Sequence, residues 1–594
     1  MVVKLRAPEL VGRGWLNTGG QDLSLAQLRG KIVVLDFWTF CCVNCLHVLD
    51  ELRPLEEKYA HELVLIGVHS PKFVHEADPD ALVAAVERYG VHHPVLDDPA
   101  LTTWQAYTAR AWPTLVVIDP EGSIVASMSG EGHAAGLASL IEDLIVEHRA
   151  KGTLCQGDSP YIAPASKDTQ LRFPGKIAAH PDGSFLVSDT AHHDVVWLES
   201  DLTTERARFG GFNEPQGLLV LPVEVAERVG YDVVVADSVH HQIRSIRLSD
   251  GQIQVIAGTG EQLRERSGGG AALKQPLSTP WDLAWWIDRV VIAMAGTHQL
   301  WALHLATDPA DNTVAVLAGT SAEGIRDGLA HDAWLAQPSG LATSADGTRV
   351  WIADAETSAL RSLTLSEEGF ELKTHVGQGL FDFGHVDGPA GQALLQHPLG
   401  VSELPDGSVA IADTYNGAIR RYDPTSDEVT TLATGLAEPS DVLFANHLLV
   451  VESSAHQVIA VPVPEVAQRM DGDSHTTARP ATPIAPGPVT LTVAFTPPPG
   501  QKLDFRYGDP TQLMVSATPE ALLRDGSGTS EGLSRALVLD PAVGDGTLHI
   551  SVRAAACDGD SEHAACHLYQ QDWGIPVILD DTAAAELELD LRGV

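Results

Sequence analysis

Basic residues are scarce in this chain of 594 residues: 38 Lys and Arg stand against 79 Asp and Glu, a formal net charge of −41. Phosphate backbones and anionic lipid surfaces both recruit Lys and Arg, so nucleic acid and membranes are excluded as expected partners. Long apolar runs are missing too, and no stretch approaches the width of a bilayer. The start, Met1-Val2-Val3-Lys4-Leu5-Arg6-Ala7-Pro8, has neither the apolar segment nor the small-residue cleavage site of a secretory signal. A cytoplasmic location is the expectation. Cysteine is sparse: six in the whole chain are too few for a disulfide framework and read as catalytic, metal-binding or inert thiols.

Core material, by contrast, is ample. Hydrophobic residues make up 44% and charged residues 20%, which suits folded domains rather than a disordered chain. The length exceeds what one core serves, so several domains are expected.

Residues 24–150 alternate short apolar runs with helical patterns, the signature of α/β units around one central sheet. Strands are expected at 32–37, 63–68, 114–118 and 123–127, and helices at 45–59, near 81–89 and at 138–148. From about residue 170 the rhythm changes to short β segments that repeat. Pro215-Gln216-Gly217-Leu218 leads to Val234-Val235-Ala236-Asp237, and Pro338-Ser339-Gly340-Leu341 leads to Trp351-Ile352-Ala353-Asp354. Further units start at Pro174, Pro280, Pro398 and Pro439, giving six. Prolines then cluster as in a linker, and beyond it residues 490–495 and 548–552 alternate as half-buried strands do.

The chemistry-bearing motif is Cys42-Val43-Asn44-Cys45, between an expected strand and the start of an expected helix. A helix N-terminus carries partial positive charge and free amides, which stabilise a thiolate. Cys42 is therefore the expected nucleophile. Cys45, one turn on, is the expected resolving thiol. No second C-x-x-C is present to complete a structural zinc site, and Leu46 after Cys45 excludes a c-type haem.

Asp36-Phe37-Trp38, the C-x-x-C, Pro54 in the following helix and Trp112-Pro113-Thr114 before a strand resemble the thioredoxin family over most of residues 24–150. The resemblance implies that Pro113 is a cis-proline facing the redox pair, its neighbours offering backbone groups to an extended substrate. It also implies that Asp36, buried beneath the cysteines with its pKa raised by desolvation, takes up the proton of Cys45. Cys41 stands where the family has tryptophan, so redox potential and partner range do not carry over; Cys41 is an inert neighbour, a competing thiol or part of a metal site. Cys41 and Cys45 with one of His69, His92 or His93 resemble the copper-delivery variants of the fold. His47 is expected on an exposed helix face.

The Pro-x-Gly-Leu unit resembles the NHL repeat, six of which close into a β-propeller. Its recurrent Asp189, Asp237, Asp354 and Asp413 are expected as turn caps rather than a ligand site. Cys557 and Cys566 flank a turn and could face each other across a hairpin, whereas Cys155 has no partner motif. The tandem Cys41-Cys42-Val43-Asn44-Cys45-Leu46-His47 and the order of its parts make the chain resemble the NHL-repeat-containing protein 2 family over nearly its whole length.

The expected architecture is multidomain: an α/β thioredoxin-like domain at 1–152, a six-bladed NHL-type β-propeller at 165–465, a Pro-rich linker at 466–488 and a small C-terminal β-sandwich at 489–594. The expected activity is thiol-disulfide exchange on protein thiols or disulfides, with a thioredoxin-type reductant among the partners and no cofactor. The propeller and last domain would present or select the partner. The rival is a propeller scaffold with an idle thioredoxin-like module. A hydrolase or lyase on the propeller has no nucleophile motif in the blades to support it, and the oligomeric state is not written in the sequence.

Overall fold

A computed structural model of the chain describes residues 5–165, 169–264, 267–462, 471–476, 481–497, 500–503, 505–558 and 566–592. It divides into two units, Met1–Ser166 with Ala478–Val594, and Lys167–Thr477.

In the first unit the N-terminal sheet holds Leu5–Arg6 (β1), Gly14–Leu16 (β2), Ile32–Trp38 (β3), Leu63–His69 (β4), Val95–Asp97 (β5), Thr114–Ile118 (β6) and Ser123–Ser129 (β7), in the order β1-β7-β6-β3-β4-β5-β2. Every residue of β3 and β4 is buried because helices cover both faces, which is why these strands read as unbroken apolar runs. Helix Val43–Lys58 (α1) follows β3, helix Pro79–Arg88 (α2) follows β4, the short Thr102–Ala106 (α3) follows β5, and Ala134–Lys151 (α4) closes the domain. β3 and β4 run parallel with Asp36 opposite Gly67 and Trp38 opposite His69. Period-2 alternation puts Ile32, Val34, Asp36 and Trp38 on one face, and Ile32 and Val34 pack there with Val48, Leu52 and Leu55 of α1. The polar residues of that face thus sit directly under the helix that begins at the cysteines.

The same unit contains the C-terminal β domain, a six-stranded and a four-stranded sheet packed on a shared apolar core that includes Leu491, Leu513, Leu537, Ile550 and Trp573. Ala111, next to Trp112, is buried in that core, and a Cβ on Gly130 would stand 3.1 Å from the Gln571 side chain. The stretch expected as a linker contributes strands: Thr482–Ile484 pairs with Cys566–Leu579, and Asp471–Thr476 pairs with Asp382–Val386 of the second unit's own span. Residues 463–470 and 477–480 lie outside the described residues.

The second unit is a β-propeller of six antiparallel sheets, with three to five strands each among the described residues. Blades one and six share a core of Ile177, Val187, Val196, Leu449 and Val451, so the ring closes. The recurrent aspartates are fully buried, and each takes a loop amide: Arg172 N donates to Asp189 at 2.6 Å, Asn213 N to Asp237 at 2.7 Å, Ala336 N to Asp354 at 2.8 Å and Gln396 N to Asp413 at 2.7 Å. Arginines hold their second oxygens, for example Arg420 on Asp413 at 2.8 Å. In the third unit, which lacks the aspartate, Met294 Sδ accepts from Ser278 N at 3.3 Å.

Four residues beyond that position a second repeat appears. The Nδ1 atoms of His193, His241, His298 and His456 accept from the residue preceding the next blade's proline, Glu214, Thr279, Gln337 and Phe173, at 3.0–3.1 Å. Ser358 does the same for His397 at 3.2 Å. The third position of the Pro-x-Gly-Leu units carries Lys176, Asp282 and Asp441 where other units have glycine. These three meet in the interior, with Lys176 Nζ 3.3 Å from Asp282 and 3.7 Å from Asp441.

Candidate functional site

α1 starts at Val43, and Cys42 is its N-cap residue in an extended conformation with no side-chain capping bond. The amides of Cys45 and Leu46 donate to the Cys42 carbonyl at 3.0 and 3.2 Å, so the loop turns into helix at the first cysteine. Cys42 is half-buried and Cys45 is completely buried. Their side chains are hydrogen-bonded, and burial with that bond pushes the Cys45 thiol well above its ordinary pKa. Two thiols one turn apart, only one of them reachable from solvent, form the geometry that closing and passing on a disulfide requires.

Asp36 lies on the covered face of β3, fully buried, and neither of its oxygens has a hydrogen-bond partner. Burial first and the charge of Glu56 second raise its pKa to about 8. The Trp112–Pro113 peptide is cis, at the entry to β6, and the Pro113 carbonyl accepts from Gly130 N at 2.9 Å. The structure thus brings Asp36, Cys42 and Cys45 to one end of β3 and α1, and it places Pro113 immediately before β3's antiparallel neighbour, where Thr114 faces Phe37.

Cys41 is buried and its amide donates to Glu76 at 2.9 Å. The same carboxylate accepts from Thr39 Oγ1 at 2.6 Å, Lys72 N at 2.8 Å and Phe73 N at 2.9 Å. Glu76, 0% exposed, is the anchor of the loop that carries the cysteines, and nothing in its sequence neighbourhood announces this. His47 is buried, not exposed: its Nδ1 pairs with Glu131 at 2.5 Å, because α1 packs that face toward the loop after β7. His69 is stacked on Phe40 and edge-on to Trp38, and burial lowers its pKa to about 3, so it is neutral. His92 is near Tyr161, and His93 pairs with Glu56. Among the described residues none of Cys41, Cys42, Cys45, His69, His92 and His93 belongs to a three-ligand cluster. One such cluster, Asp119, Glu121 and His148, lies elsewhere, with Lys151 already 3.6 Å from Glu121.

Cys155 is exposed, and Cys557 is disulfide-bonded with Cys566 as its Cα partner on the ladder. No helix among the described residues is long and apolar enough to cross a membrane.

A thioredoxin-like family profile matches residues 30–124. Protein SUPPRESSOR OF QUENCHING 1, chloroplastic, of Arabidopsis thaliana is 34% identical over 71% of this chain and 42% of its own length. NHL repeat-containing protein 2 of Bos taurus is 35% identical over 71% of this chain and 62% of its own. The chain therefore spans between two-fifths and two-thirds of these curated relatives, and the resemblance to the NHL-repeat-containing protein 2 family is borne out at this level of homology. The thiol-disulfide oxidoreductase ResA of Halalkalibacterium halodurans is 28% identical over 19% of this chain and 61% of its own.

Proposed function

We propose that this homologue of NHL repeat-containing protein 2 is a thiol-disulfide oxidoreductase acting on protein thiols or disulfides. The observation that carries the reading is the pair itself: Cys42 half-exposed at the N-terminus of α1, with Cys45 buried one turn behind it. Cys42 attacks or receives the partner's sulfur, helped by the free amides of the first turn. In the mixed disulfide, Cys45 gives its proton to Asp36 and attacks Cys42 Sγ. The Cys42–partner bond breaks, the partner leaves as a thiolate that picks up a proton, and Cys42–Cys45 closes. The chain's dithiol is oxidised by two electrons as the partner's disulfide is reduced; the reverse sequence oxidises a partner dithiol.

The likeness to the thiol-disulfide oxidoreductase ResA supports thiol-disulfide chemistry for the matched domain. The propeller and the C-terminal β domain select or present the partner, a thioredoxin-type protein completes the cycle, and the site of action is cytoplasmic in this reading. The plant relative's chloroplastic description makes the compartment a point to be measured by localising the tagged chain.

Trapping tests the reading. With Cys45→Ser, resolution stops and a mixed disulfide on Cys42 accumulates, to be recovered under denaturing, non-reducing conditions; Cys42→Ser captures nothing. Equal capture by both variants contradicts the assignment.

A further inference from the structure

Asp36 has no outlet in the mechanism above: it is fully buried, and a proton taken from Cys45 must leave before the next cycle. The face of the sheet it occupies holds more polar groups. Gly67 stands opposite Asp36 on β4. Its amide donates to Pro94 O at 3.0 Å, which brings His93 beside it.

A Cβ on Gly67 would lie 2.9 Å from Trp38 Nε1 and 3.2 Å from His93 Nε2. Both atoms are buried and without a hydrogen-bond partner. With both Asp36 oxygens unpartnered as well, a donor and acceptors from three residues lie together on this buried face, the polar inventory that holds a buried water. The other ring nitrogen of His93 is 3.3 and 3.4 Å from the two Glu56 oxygens. A carboxylate at Nδ1 fixes the proton there and leaves the Nε2 lone pair free. His93 is 3% exposed and Glu56 22%, so the pair leads from the buried face toward solvent.

We propose that His93, oriented by Glu56 and joined to Trp38 Nε1 through a buried water beside Gly67, is the residue through which Asp36 exchanges its proton with solvent during resolution. The proposal rests on the redox reading. Asp36 delivers the Cys45 proton to the water, the water passes one to His93 Nε2, and the imidazolium, stabilised by Glu56, releases it outward; no electrons move in this step. His93 is a positioning residue, since it acts through Asp36. The groups around it are Asp36 and Trp38 from β3, His69 from β4, Asp97 with Arg13 beside β5, and Glu56 and Cys45 from α1.

The test follows Asp36 directly in the full chain. Its protonated carboxyl band in the infrared, identified by its loss in Asp36→Asn, is titrated in the wild type, His93→Gln and Glu56→Gln, and the rate of resolution is measured against pH in the same proteins. Glu56→Gln is expected to lower the Asp36 midpoint, because a neighbouring negative charge is removed. His93→Gln is expected to slow resolution at least roughly tenfold while leaving the equilibrium potential in place, and to add nothing in an Asp36→Asn background. Gly67→Ala, whose methyl would stand 2.9 Å from Trp38 Nε1 and 3.2 Å from His93 Nε2 and so displaces the two groups that hold the water, gives the same slowing by an independent route. Wild-type rates and pH profiles in His93→Gln and Gly67→Ala overturn the relay. If instead the infrared midpoint moves as expected but Cys42 and Cys45 form no reversible couple, the redox reading falls, and the relay with it.

Discussion

The carboxylate of Glu76 accepts from the amide of Cys41 at 2.9 Å, tying residues 35 positions apart in sequence across the top of the sheet. With Thr39, Lys72 and Phe73 donating to it as well, this buried group holds the loop before α1 in place. Glu76→Ala leaves four donors without their acceptor and is expected to destabilise the domain by at least about 3 kcal/mol. Glu76→Gln turns one oxygen into a donor facing donors and is expected to cost about 2 kcal/mol. Chemical denaturation followed by tryptophan fluorescence reads both, and wild-type stability in Glu76→Ala contradicts this role.

The rate of resolution should depend on pH through Asp36. Its pKa of about 8 keeps it mostly protonated at neutral pH, so the fraction able to accept the Cys45 proton grows up to and through that value. The rate is expected to rise between pH 7 and 8.5 in stopped-flow thiol exchange. Asp36→Asn should flatten the profile and slow the step by on the order of a hundredfold at pH 8. The sign for stability is opposite. The folded state holds the Asp36 proton more tightly than the unfolded chain, so this residue's contribution falls as pH rises from about 4 toward 8, and Asp36→Asn is expected to be the more stable protein above pH 8.

Lys176 neutralises two buried aspartates from other blades. Its removal by Lys176→Met leaves Asp282 and Asp441 facing each other without a cation, with an expected loss of about 3–5 kcal/mol. Asp441 already has its pKa raised to about 6, by burial chiefly. Its contribution to stability therefore declines between about pH 4 and 6, and the variant should regain part of its loss at pH 4.5, where the carboxyls are protonated. A thermal unfolding series across pH checks both statements, and a constant difference at all pH values contradicts them.

The histidines between blades accept hydrogen bonds only when Nδ1 is unprotonated. Burial lowers the pKa of His193, so the folded state binds fewer protons there than the unfolded one, and stability is lost as pH falls through the unfolded value of about 6.5. His193→Asn, whose side-chain oxygen can accept the same amide, is expected to retain most of the neutral-pH stability and to lose less between pH 7 and 5. Amide exchange at Glu214 is the site-specific readout, and unchanged acid sensitivity in the variant contradicts the assignment.

Much of this was legible in the sequence, for reasons particular residues make plain. β3 and β4 announce themselves because burial on both faces demands a continuous apolar run, and the cysteine pair declares the helix start. The blade repeat is carried by Pro-x-Gly-Leu and Ala-Asp, short local phrases. What escaped depends on residues meeting from distant segments: Glu76 on Cys41, His93 on Glu56, Lys176 on Asp282. The inter-blade histidines recur four residues after the Ala-Asp aspartate or its replacement and were open to a repeat search, yet serine and glycine at Ser358 and Gly417 break the pattern. His47 misled because one residue type suits an exposed face and a buried ion pair alike.

The central claim is that Cys42 and Cys45 form a working redox couple. Free thiols of the purified chain are titrated across dithiothreitol redox buffers, with Cys42→Ser and Cys45→Ser alongside. The account predicts one reversible two-electron transition that disappears in each variant, its midpoint giving the direction of exchange in the cell. No transition in the wild type, or the same transition surviving in either variant, would contradict it.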